Sequence, residues 1–367
     1  MNLVRKSVFW LHLAIGLLAG VLVLMMSVTG VLMAFERQIV ERADGYRLTA
    51  PAGGTALGPE ALLEKTRHEK QPPSALGLER DPSRPAFYQF GKEKTLFADP
   101  HTGALLGSGN TTVRGFFKFI LGWHRWLGRE GASQATGKAI IGIGNLMFLF
   151  LLVSGIFLWF PKRWTRSGVK AVTLIQKRLK GRARDWNWHN AFGFWAAIPL
   201  LAIVVSGTVI SQPWANALVF RLAGETPPPP GERKKPAPFT LPENLTGLDA
   251  ALATVKSACP DWQSIQLQLP FTRTATFAVS DSHRGRPDLR RQVTVDLATA
   301  NIVKTEGLGD LGPGRQTRTW IRWIHTGEAG GVPGQTIAGL AAAASAVLVW
   351  TGFALSWRRF TKKRVTT

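Results

Sequence analysis

The stretch from Ala139 to Phe160 reads AIIGIGNLMFLFLLVSGIFLWF and contains no charged residue. A helix of this length rises about 33 Å, enough to cross the roughly 30 Å hydrocarbon core of a bilayer. Three more uncharged apolar stretches have similar length: Val8 to Phe35, Phe192 to Trp214 and Thr336 to Trp357. The sequence therefore predicts an α-helical membrane protein with four transmembrane helices.

The amino-acid composition excludes several classes of protein function. The chain has 367 residues, a formal net charge of +22 and 45% hydrophobic residues. A soluble nucleic-acid-binding protein can be this basic, but it does not carry four apolar runs of membrane length, so no nucleic-acid partner is expected. Cys259 is the only cysteine, which excludes an intrachain disulfide and an iron–sulfur cluster held by several thiolates.

Charged residues around the spans predict their orientation. Arg5 and Lys6, the short basic loop at 161–186 and the basic tail place both termini on the cytoplasmic side, in contact with anionic lipid headgroups. The first span is expected to be a retained anchor, because Glu36 and Arg37 follow it where a signal peptide would have small residues. We therefore expect a multi-pass protein of a bacterial inner membrane.

The segments between the spans give the predicted domain plan. Each long outer segment contains a helix-like stretch followed by strand-like stretches, which predicts two small α+β periplasmic domains. TPPPPGERKKPAP at 226–238 is expected to be an extended linker. The plan is transmembrane helix 1 at 1–35, an outer domain at 36–112, an interfacial helix with transmembrane helix 2 at 113–160, the cytoplasmic loop at 161–186, transmembrane helix 3 at 187–215, an outer domain at 216–318, and transmembrane helix 4 with the tail at 319–367.

The two halves of the chain repeat. His12 and Gly30 recur as His189 and Gly207 with an offset of 177, and Gly155 recurs as Gly352 with an offset of 197. The sequence therefore predicts two copies of a unit made of a span, an outer domain and a span.

Four of the seven histidines lie one at each span, namely His12, His124, His189 and His325. Ionisable side chains at membrane depth are costly and commonly functional. The predicted topology puts His12 with His189 near the cytoplasmic face and His124 with His325 near the periplasmic face. Two facing imidazoles can supply both axial ligands of a b-type haem inside a helix bundle.

Other interpretations of these histidines are weaker. Zinc would need about four ligands, and no cysteine or carboxylate accompanies His12 or His189 within the spans. No CxxCH motif is present, so covalent haem attachment is not expected. Histidines bonded only to headgroups or backbone are the remaining alternative. His68, His101 and His283, in the outer segments, are expected to be ordinary solvated or turn residues.

Several longer motifs resemble a known family. They are WHRWLGREGASQATGK from Trp123, WNWHNAFGFW from Trp186, HTGEAGGVPGQ from His325 and the turn DPHTGALLG from Asp99. Together they are similar to the PepSY-associated transmembrane helix family, with the outer domains as PepSY units. The resemblance implies a di-haem inner-membrane reductase that delivers electrons to a ferric siderophore in the periplasm. The ligand pairs it implies are His12 with His189 and His124 with His325, each pair on one b-type haem.

The resemblance leaves partners and basic residues to be assigned. A set of arginines beside the outer histidine pair is hypothesised to contact haem propionates or an anionic chelate, or to act only as interfacial anchors. They are Arg114, Arg125, Arg129, Arg315, Arg318 and Arg322. No nucleotide or flavin motif is visible, so the electron donor is expected to be a quinol or a cytoplasmic reductase. The alternatives are a transporter for iron or a siderophore, and a PepSY-mediated binding or regulatory protein without redox activity.

Overall fold

The computed structural model describes residues 3–49, 55–69, 71–91, 94–160, 164–229 and 239–361. The predicted linker at 226–238 and the basic tail extend beyond these ranges. The α-helices are α1 Leu3–Met33, α2 Glu36–Asp44, α3 Pro59–Glu64, α4 Thr111–Trp126, α5 Gln134–Trp159, α6 Arg166–Thr173, α7 Gly181–Ser211, α8 Pro213–Leu222, α9 Leu248–Ala258, α10 Pro313–Thr326 and α11 Gly331–Phe360. The strands are β1 Ala75–Glu79, β2 Ala86–Phe90, β3 Lys94–Ala98, β4 Leu105–Gly107, β5 Ser264–Gln268, β6 Thr274–Ser280, β7 Arg290–Asp296 and β8 Ile302–Gly307.

The chain forms two compact units. The helical unit comprises Met1–Glu36, Phe116–Leu222 and Trp320–Thr367, and the sheet unit comprises Arg37–Gly115 and Ala223–Thr319. Helices α1, α5, α7 and α11 are long and apolar enough to cross a membrane, as predicted. Their ends lie between 1 and 11 residues from the predicted ones, and the largest difference is at the start of α7, because flanking polar residues such as Arg5 and Arg184 continue the helices.

The four long helices form a closed ring of neighbours. Helices α1 and α7 each pack against both α5 and α11, so α1 and α7 stand at opposite corners of the bundle. Glycines permit close approach: Gly20 of α1 lies against the ring of Phe353, and Gly144 of α5 lies against Leu22. A side chain at either glycine would overlap its neighbour, which explains why small residues recur in these spans.

Buried polar groups join the same helices. The Asn145 amide on α5 donates to the Val204 carbonyl at 3.0 Å and to the Thr208 hydroxyl at 2.7 Å on α7. The Ser27 and Ser345 hydroxyls pair at 2.8 Å between α1 and α11. Such bonds fix the register between helices, because an unpaired polar group would be costly at this depth.

The sheet unit contains one eight-stranded antiparallel sheet of order β4-β3-β2-β1-β5-β6-β7-β8. The sequence predicts two small domains in the two outer segments, whereas the structure joins their strands into one sheet through β1 and β5. These strands pair from Ala75 opposite Gln268 to Glu79 opposite Ser264. The short strand β4 and the exposed edge strand β8 were not predicted, because neither alternates buried and exposed residues along its length.

Helices α3 and α9 belong to the same hydrophobic core as the central strands. Leu62 and Leu248 from these helices are fully buried with Leu76, Tyr88 and Phe277 from the strands. The Tyr88 hydroxyl donates to the Leu62 carbonyl at 2.7 Å, which satisfies the one polar atom of this buried ring. Alternation of buried and partly buried residues along β6 shows that one face of the sheet makes this core.

Candidate functional site

The four span-associated histidines all lie in the helical unit, on two kinds of helix. His12 and His189 are part of the long helices α1 and α7. His124 and His325 are near the ends of the shorter helices α4 and α10. A turn connects α4 to α5, and another connects α10 to α11. All four rings are partly buried, so each is packed on one side and accessible on another.

Each histidine is hydrogen-bonded through Nδ1 to a hydroxyl on a long helix. His12 pairs with Ser154 of α5 at 2.8 Å, and His189 pairs with Thr351 of α11 at 3.0 Å. The other two contacts are His124 with Thr29 of α1 at 2.8 Å and His325 with Ser206 of α7 at 3.1 Å. The same contact therefore occurs four times.

These hydroxyls determine which ring nitrogen carries the proton. Ser154 donates its own hydrogen to the Phe150 carbonyl four residues earlier, at 2.6 Å. A hydroxyl has one hydrogen, so the Ser154 oxygen must accept from the Nδ1–H of His12. The neutral ring then has its lone pair on Nε2, the nitrogen free to bind a metal.

The same reasoning applies to the other three hydroxyls. Thr29, Ser206 and Thr351 donate to the carbonyls of Met25, Ala202 and Val347, at 2.7, 2.6 and 2.8 Å respectively. For His325 a second contact agrees, because its Nδ1 also lies 2.9 Å from the Ile203 carbonyl, which can only accept. The surroundings of all four histidines thus favour the same tautomer, with the proton on Nδ1.

A glycine follows each of the four hydroxyl residues and contacts the same ring. A Cβ atom placed on each glycine would lie close to Cε1 of one ring. The distance is 3.9 Å between Gly30 and His124, 3.5 Å between Gly155 and His12, 3.1 Å between Gly207 and His325, and 3.7 Å between Gly352 and His189. At Gly207 this distance is tighter than an ordinary van der Waals contact, so a side chain there would displace His325. The pair formed by a hydroxyl residue and a glycine therefore both binds the ring and makes room for it.

His12 and His189 face each other across the bundle. Their ring centroids are 6.5 Å apart and their planes are inclined at 85°. When two imidazoles bind one metal ion, the distance between their ring centres is the sum of four lengths. These are two metal–nitrogen bonds of about 2.0–2.1 Å and two distances from a nitrogen to its ring centre, which together give about 6.3 Å. The observed distance between the ring centres is close to this value.

The two histidine sites are separated along the bundle. His12 and Thr29 on α1 are 17 residues apart, as are His189 and Ser206 on α7. At 1.5 Å per residue this corresponds to about 26 Å, close to the thickness of a bilayer core. We call these the His12 site (His12, His189, Ser154 and Thr351) and the His124 site (His124, His325, Thr29 and Ser206).

The donor set suits a group that needs only axial protein ligands. Within the described ranges there is no cluster of three or more His, Cys, Asp or Glu side chains that could hold a metal ion. A haem brings four equatorial nitrogens of its own, so two histidines suffice for each iron. The residues present therefore fit haem better than a bare metal ion.

The arginines expected beside the outer pair are in different surroundings. Arg114 pairs with Asp44 and lies over the Phe97 ring, so the sheet unit already engages it. Arg125 and Arg322 are exposed and lie over the neighbouring rings of Trp126 and Trp323, at 4.8 and 5.1 Å. Of the remaining three, Arg315 and Arg318 belong to α10, and Arg129 follows the end of α4 by three residues.

Sequence reasoning missed the four hydroxyl partners. A signal was present: the matched glycines, Gly30 with Gly207 and Gly155 with Gly352, each follow a serine or threonine directly. Short hydroxyl residues in an apolar span commonly bond their own backbone, so the pattern alone does not identify them as histidine partners.

Comparison with known proteins identifies the family. No curated protein matches the chain. A family profile described as the PepSY-associated TM region matches residues 9–359, which covers the sheet unit, α5, α7 and most of α1 and α11. The chain therefore belongs to the family of PepSY-associated transmembrane-region proteins.

Proposed function

We propose that this protein is a di-haem inner-membrane reductase that passes electrons across the membrane to a ferric siderophore in the periplasm. The observation that carries the proposal is that all four span-associated histidines bond through Nδ1 to a hydroxyl of a long helix, which leaves Nε2 for iron. Four such rings, spaced as two sites about 26 Å apart along the bundle, suit two bis-histidine haems.

Two histidines would hold each haem. His12 and His189 would hold one haem, and His124 and His325 would hold the other. The hydroxyls of Ser154, Thr351, Thr29 and Ser206 would keep the rings oriented and raise their basicity as ligands. When bound, a b-type haem supplies one-electron redox chemistry, which no side chain of this chain can replace.

The protein itself would set the conditions for that chemistry. Partial burial of the rings in the apolar bundle, together with the hydroxyl contacts, would tune the reduction potentials. The basic loop near the end of α5 would keep one site at the cytoplasmic face, where a quinol or a reductase acts as donor. The sheet unit would then lie in the periplasm, with the two halves of the chain as duplicated units.

The substrate class comes from family resemblance. The layout is similar to that of the siderophore reductase FoxB, and reduction of Fe(III) weakens its binding to hard oxygen chelators, which releases iron. Arg125 and Arg322, both exposed on the helices of the His124 site, would attract an anionic chelate. A transporter would need coupling residues inside its spans, and the four long apolar segments contain no carboxylate.

A single-turnover experiment tests this proposal. Purified protein is reduced with dithionite, desalted without oxygen and mixed with a ferric siderophore, while haem absorbance and Fe(II) captured by a chromogenic chelator are followed. We expect the protein to be reoxidised with about one Fe(II) formed per haem oxidised, since each haem gives one electron. His68→Ala, which removes a histidine outside both sites, is the matched control and is expected to behave as the wild type.

Reduced protein that stays reduced in the presence of excess siderophore would contradict the reductase activity. If the siderophore is instead carried across proteoliposomes without Fe(II) formation, the transporter interpretation takes its place.

A further inference from the structure

A polar recess lies in the sheet unit. It has a volume of about 460 Å³ and opens where β1 and β6 end and β5 and β7 begin. Small-molecule sites commonly have volumes of about 300–1,000 Å³. Both outer segments contribute to it, so the recess exists only because β1 pairs with β5.

Arginines dominate the charge of the recess. Four of them line it, Arg37, Arg84, Arg284 and Arg290, against two carboxylates. They come from α2, the turn after β1, the loop after β6 and the start of β7, so they approach from several directions. The planar guanidinium group is suited to bidentate contacts with carboxylates.

Neighbouring carboxylates hold two of these arginines in place. Arg37 pairs with Glu41 at 2.5 Å, and Arg84 lies 3.6 Å from the same Glu41 and 3.9 Å from Asp81. A guanidinium held by a partner on one side loses less side-chain freedom when a ligand binds on the other. The arrangement is therefore partly organised before any ligand arrives.

The rest of the lining offers hydrogen bonds rather than apolar contact. It includes the hydroxyls of Ser264, Ser280 and Ser282 and the amide of Gln263. Glu79 also lines the recess, and burial raises the pKa of its carboxyl group. Such a lining suits a ligand with several charged oxygens and hydroxyl groups.

We propose that this recess binds a small polycarboxylate, free or as its ferric complex. Arginines on several sides of a recess of this size fit a ligand with two or more separate carboxylates better than one compact anion. The proposal does not depend on haem, because every residue that it uses belongs to the sheet unit.

Calorimetry on the full-length protein in detergent tests the assignment, with citrate as the probe. We expect a Kd below about 1 mM at moderate salt, weakening as salt increases. Arg84→Gln and Arg290→Gln should each weaken binding by about tenfold or more, because each removes a charged fork. Arg273→Gln is the matched control, since Arg273 pairs with Asp296 at the opposite end of β6 and β7 and is 80% exposed.

Three further arms make the result decisive. Thermal unfolding of each variant without citrate shows whether a loss of binding reflects misfolding, and citrate at one fixed concentration should raise the Tm of the wild type more than that of Arg84→Gln. Ferric citrate binding more tightly than citrate would support the ferric complex as the ligand, and equal binding would support the free polycarboxylate. Three results would each overturn the proposal. They are no citrate binding at about 10 mM, a loss of citrate affinity in Arg273→Gln equal to that in Arg84→Gln, and inorganic phosphate binding as tightly as citrate.

Discussion

The His12 site and the His124 site use the same contact in different settings. In both, a ring donates from Nδ1 to a hydroxyl that is followed by glycine. At the His12 site both histidines belong to membrane-spanning helices, so the register of the bundle positions them. At the His124 site both histidines lie on the shorter helices α4 and α10, so the turns before α5 and α11 position them.

Those turns depend on close backbone contact. A Cβ at Gly137 would overlap the Trp126 carbonyl, and a Cβ at Gly334 would overlap the Gly327 carbonyl. Gly327 itself has a φ of +75°, which a residue with a side chain rarely adopts. The His12 site is therefore part of the four-helix bundle, whereas the His124 site can be altered without altering the His12 site.

Removal of one histidine should have the largest effect. His12→Ala and His124→Ala are each expected to lower the haem content from about two per chain to about one, because each bis-histidine site loses an axial ligand. The pyridine haemochrome assay measures this. Distinct spectra of the haem that remains in the two variants would establish two separate sites. Retention of both haems in His12→Ala would break the assignment of that ligand.

A glycine substitution should separate the two sites without touching a ligand. Gly334→Ala is expected to move α10 and to lower occupancy at the His124 site, while the His12 site keeps its haem. Gly330→Ala is the matched control, because a Cβ there meets open space and its φ of −93° is accessible to alanine. Loss of haem from the His12 site in Gly334→Ala would show that the two sites are not independent.

Removal of a hydroxyl should have a moderate effect. Ser154→Ala leaves the Nδ1–H of His12 without its acceptor, and loss of such an outer contact commonly lowers metal affinity by about 10–100-fold. Haem transfer to apomyoglobin measures the dissociation rate, and redox titration measures any change in midpoint potential. Ser356→Ala is the control, since Ser356 donates to the Gly352 carbonyl and contacts no histidine among the described bonds. If Ser154→Ala and Ser356→Ala have the same haem dissociation rate and midpoint potential, the Ser154 hydroxyl does not contribute to haem binding.

Neutralising surface arginines should have the smallest effect. Arg125→Gln together with Arg322→Gln is expected to slow the reduction of an anionic ferric chelate several-fold at low salt, with the difference disappearing near 1 M salt. Stopped-flow reoxidation of the reduced protein measures the rate. Arg273→Gln again serves as control. A rate unchanged at all salt concentrations would leave these arginines as interfacial anchors.

The sequence predicted the four long helices because uncharged runs of that length have few other stable states. It also predicted that His12 and His189 lie together, and the structure places their rings 6.5 Å apart. The offset between the halves identified the glycines that contact the rings. The haem ligation of these histidines stays a prediction.

Other features depend on tertiary contacts that no local pattern encodes. The hydroxyl partners lie on other helices, 95 to 162 residues away along the chain. The pairing of β1 with β5 joins segments nearly 190 residues apart, so it could not be read from either segment alone. Helix α10 begins with polar residues and has no apolar run, which is why it was not separated from the fourth span.

The most direct test of the central claim is the haem content of the wild-type protein, measured together with its reduced-minus-oxidised absorption spectrum. Protein expressed with ample haem and purified in detergent should contain about two b-type haems per chain, both low-spin, as expected for bis-histidine ligation. Protein that is correctly folded yet contains no haem would contradict the account and leave the four oriented histidines without their proposed ligand.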